Sequence, residues 1–151
     1  MEHRISAGVI IENDAKVLLV RHLKPGAYDF WVAPGGGALG DEDLRATAKR
    51  EVLEECGLHI EPDRVMYIEE FVQPGKRHCK VWFAGHLIGG TLDWSAPEAK
   101  EEHIVEAAWL AREQLDGKTV FPPMLLNDYW EDMAAGITVP RYVGLRQMDF
   151  Y

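Results

Sequence analysis

Short runs of Val, Ile and Leu, parted by polar turns, dominate the first part of the chain. Residues 4–11 and 16–22 are two such runs, separated by Glu12-Asn13-Asp14, and the pattern predicts a β-hairpin. Residues 30–33 predict a third short strand, stopped by Pro34 and the glycines Gly35-Gly36-Gly37. From residue 42 to 56 the spacing becomes helical, with Asp41 as N-cap and Gly57 as the stop. Strands are predicted over 65–72 and 78–87, turning through Pro74-Gly75, followed by a polar stretch over 89–102. A strand over 105–110 precedes a small helix at Arg112–Leu115. A second long helix, 124–135, is introduced by Phe121-Pro122-Pro123 and ended at Gly136, while the tail 137–151 shows no clear period. Strands and helices alternating irregularly predict an α/β fold, a mixed β-sheet between helices, in one domain over 1–151.

Composition narrows what such a domain does. No apolar run approaches the roughly 20 residues of a bilayer helix, so no membrane span is expected. The opening residues 1–4 lack the features of a secretory signal, and Cys56 and Cys79 have no CxxC or Cys/His spacing around them. Free thiols in a reducing cytoplasm are the expectation. With 25 Asp plus Glu against 16 Lys plus Arg, the net charge of -9 argues against a nucleic acid polymer as partner. A small phosphorylated substrate would approach such a surface with the help of divalent cations, which bind carboxylates and neutralise phosphates together.

The acidic residues of the first helix are the candidate chemistry. At 100° per residue, with Glu51 at zero, Glu54 falls at about 300° and Glu55 at about 40°, so three carboxylates share one arc. They occupy the helix end where the macrodipole is negative, and like charges at i, i+4 repel. An acidic solvated face and a cation site both fit this wheel. The apolar positions Ala46, Val52, Leu53 and Cys56 occupy a separate arc that can face a sheet.

The spacing goes further. Gly36, five residues, Glu42, seven residues, then Arg50-Glu51-Val52-Leu53-Glu54-Glu55-Cys56-Gly57-Leu58 fills every specified position of G-x5-E-x7-R-E-U-x-E-E-x-G-U, where U is bulky aliphatic. This is the signature of the Nudix hydrolases, which the chain resembles over residues 36–58. The resemblance implies a Nudix-type α/β/α sandwich and a Mg²⁺-dependent pyrophosphohydrolase, with Mn²⁺ as substitute. It implies Glu51, Glu54 and Glu55 as metal ligands, with Gly36 counted in the metal site. Arg50 would hold the neighbouring carboxylates. Glu42, about 12 Å from Arg50 by helical rise, would play an outer supporting role. Gly35 and Gly37 would support tight packing of the loop, through the positive φ that glycine permits. Ala33 departs from the bulkier aliphatic usual there, and Ala38-Leu39-Gly40 lack the Glu and Pro often found in that loop.

The general base comes from the helix or from a later loop in different family members. Glu102, ahead of Glu101, is the loop candidate, and Glu106 is a third. For the substrate, Arg4, Arg21, Trp31 and Phe71 are candidates to pair with phosphate or stack on a base. Pro74, near where family members that cleave ADP-ribose carry a proline, leaves ADP-ribose, other nucleoside diphosphate-X compounds and nucleoside triphosphates all open. A nucleotide-sensing or protein-binding module without turnover is the alternative to an enzyme, and the second helix and aromatic tail are candidates for a homodimer contact.

Overall fold

The computed structural model describes residues 1–149. Its strands are β1 (Glu2–Asn13), β2 (Lys16–Lys24), β3 (Tyr28–Val32), β4 (Gly35–Gly37), β5 (Leu58–Gln73), β6 (Lys76–Gly90), β7 (Ile104–Ala111), β8 (Val120–Phe121) and β9 (Arg141–Gln147). The helices are α1 (Leu44–Cys56), α2 (Pro97–Glu101) and α3 (Asp128–Ala134). The sheet runs in the order β8-β3-β2-β1-β6-β5-β9, with β4 added to β1 and β7 to β2. It is mixed, since β1 runs parallel to β6 and β5 parallel to β9 among antiparallel pairs. This is the α/β architecture that the pattern predicts.

The first two strands form a hairpin only at its tip, where Glu12 pairs with Val17 and Asn13 with Lys16. Before the tip they part, and β1 instead pairs with β6 from Glu2–Lys76 to Ile11–Gly85. The sheet therefore curls into two limbs, β1-β4-β6-β5-β9 and β2-β3-β7-β8. Apolar residues of both limbs, among them Val9, Ile11, Leu19, Val20, Phe30 and Trp82, meet in one core.

Several elements differ from the sequence expectation for local physical reasons. The helix over 42–56 begins later, at Leu44, because Asp43 rather than Asp41 is the N-cap and accepts from the Ala46 amide at 2.8 Å. It stops where expected, with Gly57 left-handed at φ 71° and its amide bonded to the Leu53 carbonyl. The glycines 35–37 do not merely stop β3. They form β4 and pair with Ser6, Ala7 and Gly8 of β1. The second long helix is divided: Pro123–Leu126 is a 3₁₀ turn, Asn127 leaves helical geometry at φ -144°, and α3 follows. The tail supplies β9, and the polar stretch contains α2. Phe150 and Tyr151 of the aromatic tail lie outside the described residues. Among the described residues, no helix is long and apolar enough to cross a membrane.

Candidate functional site

Helix α1 buries two stripes side by side. Ala48, Val52 and Cys56 follow one another at i+4, and so do Thr47, Glu51 and Glu55, and all six are buried. The carboxylates thus lie on the inward side, with Glu51 6% and Glu55 2% exposed, which corrects the idea of a solvated acidic face. Leu53 and Ala46, expected in the apolar arc, are exposed instead. The helix presses its mixed face against β1, β4 and β5. Glu54 remains half-buried at the rim.

The glycine strand β4 fits directly over these acids. The Gly35 amide donates to Glu55 Oε1 at 2.8 Å. A Cβ on Gly36 would come within 2.5 Å of the Glu51 carboxylate, and one on Gly37 within 2.7 Å of the Arg4 guanidinium. None of these three has positive φ, so glycine is required here for close approach and not for left-handed backbone. Arg50 Nη1 donates to Glu51 Oε1 at 3.0 Å and to Glu54 Oε2 at 3.2 Å, and Nη2 donates to the Gly37 carbonyl at 3.0 Å.

Glu42 is closer to this network than helical rise suggests. It precedes the helix, in a turn that folds back, and takes two hydrogen bonds from Arg50, Nη2 to Oε1 at 2.7 Å and Nε to Oε2 at 3.0 Å. The Leu39 amide and the Thr47 hydroxyl also donate to Glu42. The Arg50 bond, first among these causes, holds the Glu42 carboxyl down at about 2.

A cleft of about 610 Å³ opens over the helix end, bounded by Arg4, Gly37, Arg50, Glu51, Glu54 and Glu102, with Glu101 and Glu98 also on its wall. Glu102 sits just after α2, which the polar stretch delivers to the mouth of the site. Of the three base candidates, Glu101 is exposed, and Glu106 turns outward toward Arg21 at 3.8 Å. Glu102 Oε2 is buried with no hydrogen-bond partner.

Burial, then the charge of Glu51, raises the Glu102 carboxyl to about 7. Burial, then Glu102 and Glu51, raises Glu55 well above the usual range. Burial also raises Glu51, against the pull of Arg50. Three acids that resist ionising together, one with an orphaned buried oxygen, are what a divalent cation would relieve. The all-oxygen donors Glu51, Glu54 and Glu102 fit a hard ion of the Mg²⁺ or Mn²⁺ kind.

Of the four residues expected at the substrate, Arg4 lies in the cleft, Phe71 lines a separate interior cavity with Phe30, Trp82 and Arg146, and Arg21 and Trp31 are elsewhere. Strand alternation separates them. Arg21 and Trp31 are cross-strand partners, as are His22 and Phe30 next to them, so the two pairs face opposite sides of the sheet. Arg21 forms a two-bond fork with Asp29, at 2.9 and 2.8 Å, and with Trp31 lines a separate notch beside Lys118. Phe71 stacks on His78, centroids 4.4 Å apart, and the Arg146 guanidinium lies 5.1 Å from its ring centre.

Two interior residues carry no motif. His22 places Nε2 3.9 Å from Glu55 Oε2. Lys80, buried opposite its cross-strand partner Glu69, sits 4.3 Å over the Trp82 ring, and the charges of Glu55 and Glu69 oppose the lowering that burial imposes on it. The apolar runs around them give no period that shows which face they take, although a Lys in a strand rich in large apolar residues is itself a signal.

A family model for the NUDIX domain matches residues 2–128. The 8-oxo-dGDP phosphatase NUDT18 of Homo sapiens is 33% identical over 107 residues, 71% of this chain but 32% of that protein, so the chain spans about a third of that relative. The RNA pyrophosphohydrolase of Caulobacter vibrioides is 30% identical over 125 residues, covering 72% of this chain and 70% of that one. Among solved structures, a NUDIX hydrolase from Nitrosomonas europaea superposes with a TM-score of 0.75 at 25% identity, covering 92% of this chain and 93% of its own.

Proposed function

The chain belongs to the Nudix family, and from that membership we propose that it hydrolyses a phosphoric anhydride with Mg²⁺, in a nucleoside diphosphate derivative or a nucleoside triphosphate. The observation that carries this reading is the gathering of Glu51, Glu54 and Glu102 on one cleft, with Glu55 buried beside them and Arg50 clamping Glu51 and Glu54. Mn²⁺ substitutes for Mg²⁺ in the same donor set.

Glu51 and Glu54 would hold the cation, with Gly36 leaving the room that Glu51 occupies. When bound, the cation neutralises phosphate oxygens and makes the attacking water more acidic. Glu102 is the general base: it lies on the cleft wall, and a carboxyl raised to about 7 is partly deprotonated at neutral pH and accepts a proton readily. Arg4, on the cleft wall and packed over Gly37, offers its guanidinium to the phosphate chain. Arg50 positions Glu51, Glu54 and Glu42 and touches no substrate in this reading.

A nucleoside diphosphate derivative suits the cleft better than a polymer, because its walls carry Glu2, Glu98 and Glu101 beside Arg4. NUDT18 is named for a nucleoside diphosphate, 8-oxo-dGDP, which supports the same class. The free thiols of Cys56 and Cys79 support a reducing, cytoplasmic setting.

Formation of nucleoside monophosphate from a panel of nucleoside diphosphates, triphosphates and diphosphate-linked sugars, with Mg²⁺, tests the proposal. Turnover of at least one member, abolished by chelation, is expected. A protein whose melting responds to Mg²⁺ but which turns over no member would be a binding module instead.

A further inference from the structure

Next to Glu102 of the cleft wall, one buried potential donor is nitrogen rather than oxygen. His22 of β2 is 1% exposed, and its ring lies parallel to Phe30 at 5.0 Å between centroids, which fixes its plane. Its Nδ1 stands 2.9 Å from the Glu102 carbonyl. A carbonyl can only accept, so Nδ1 carries the proton and Nε2 presents a lone pair. That lone pair is aimed at Glu55 Oε2, while the other oxygen of Glu55 is committed to the Gly35 amide. The two atoms therefore stand 3.9 Å apart in a buried place, beyond hydrogen-bond reach of each other.

One ligand atom from each of His22, Glu55 and Glu102 lies within 4.8 Å of the others. An ion bound at about 2.1 Å from each donor holds any two donors at most about 4.2 Å apart. The His22–Glu55 spacing meets this limit as it stands, and Glu102, with an unpartnered oxygen, closes the remainder by a small rotation. A histidine whose second nitrogen donates to a backbone carbonyl is the usual form of a metal-binding histidine.

We propose that His22 is a nitrogen ligand in this site, and that the position between His22, Glu55 and Glu102 selects a first-row transition ion such as Mn²⁺ over Mg²⁺. The inference rests on the reading of the cleft as a metal-dependent hydrolase site and adds an inner position to the all-oxygen one at Glu51 and Glu54. Imidazole is a poor donor for Mg²⁺, which keeps oxygen ligands, and a good one for the later divalent ions. Glu102 has two oxygens, so binding through one leaves the other to take a proton.

The test uses the full chain with Mn²⁺ alone and no nucleotide. Pulsed electron paramagnetic resonance of the bound Mn²⁺ is expected to show ¹⁴N modulation, replaced by the ¹⁵N pattern in protein grown with ¹⁵N-histidine. His22→Gln is expected to lose the modulation and to bind Mn²⁺ at least about tenfold more weakly, with Mg²⁺ affinity unchanged. His103→Gln, at the exposed neighbour of Glu102, keeps both. Bound Mn²⁺ without nitrogen modulation, or modulation that survives His22→Gln, overturns the proposal. Should His22→Gln fail to fold, the ¹⁵N resonance of His22 Nε2 in the wild-type chain decides. It shifts on adding diamagnetic Zn²⁺ and not Mg²⁺ if His22 is a ligand, and stays in place with Zn²⁺ if it is not. Formation of nucleoside monophosphate with Mg²⁺ is read separately: turnover without modulation removes His22 alone, and modulation without turnover of any substrate removes the hydrolase.

Discussion

Arg50 reaches back eight residues to grip Glu42 with two nitrogens, at 2.7 and 3.0 Å, while its third nitrogen holds Glu51 and Glu54. Glu42 is thus the anchor of the clamp. Glu42→Gln keeps the shape and removes the charge, and turnover is expected to fall about 10 to 100-fold with the fold retained, read by steady-state formation of nucleoside monophosphate. Its carboxyl is held below its unfolded value, so the stability it contributes is present above pH 4.5 and lost as the pH falls toward about 2. Urea melts across that window are expected to show a shallower loss in Glu42→Gln than in the wild type.

Neighbouring glycines separate stability from activity. A methyl on Gly35 would meet the backbone of Ala7 and Gly8 at 2.4 and 2.5 Å, which cannot move without opening the β1–β4 pairing. Gly35→Ala is expected to destabilise by about 1–3 kcal/mol, measured by chemical denaturation. A methyl on Gly36 would meet the Glu51 carboxylate at 2.5 Å, a side chain that can swing aside. Gly36→Ala is expected to fold near normally while metal affinity and turnover drop about tenfold or more.

Glu55 is costly to the metal-free chain, since it is buried and faces Glu102 and Glu51. Glu55→Gln retains an oxygen for the Gly35 amide and removes the repulsion. Without metal the variant is expected to melt at or above the wild-type temperature. The stabilisation by divalent cation is expected to be largely lost, and turnover to fall by about 100-fold or more. A destabilised metal-free variant would contradict the electrostatic account.

His78, stacked on Phe71, is lowered to about 4 by burial and then by the charges of Arg4, Lys76 and Lys80. The unfolded chain therefore takes up the proton first, and stability falls as the pH drops from 6.5 toward about 4. His22 is lowered to about 4 as well, chiefly by burial, so the wild-type slope contains both. His78→Gln is expected to flatten the denaturation midpoint against pH partly, not wholly.

The helix, its glycine stop and the carboxylates were legible in the sequence because their signals are local, a spacing and a charge placed against the helix dipole. The parallel pairing of β1 with β6 was not, because residues 4–11 read equally as half of a hairpin, and only the tip at Asn13 and Lys16 fulfils that reading. Glu42 was placed too far out because rise along a helix was applied to a residue that precedes the helix. His22 escaped notice for another reason: Leu19, Val20, Arg21 and His22 offer no alternation, so nothing local tells which of Arg21 and His22 points inward.

The contact between the Gly35 amide and Glu55 has a further consequence. Gly35 can lie there only because it has no side chain to meet the backbone of Ala7 and Gly8, and Gly8 in turn lies so close to Trp82 of β6 that a Cβ would come within 2.3 Å of the indole. A graft of residues 36–58 onto another helix would carry every letter of the motif and leave behind Gly35, Glu102 and the two strands that seat them. The heritable unit is a strand-and-helix joint spanning β1, β4, α1 and β6, and the motif alone would arrive in its new host as loose glutamates.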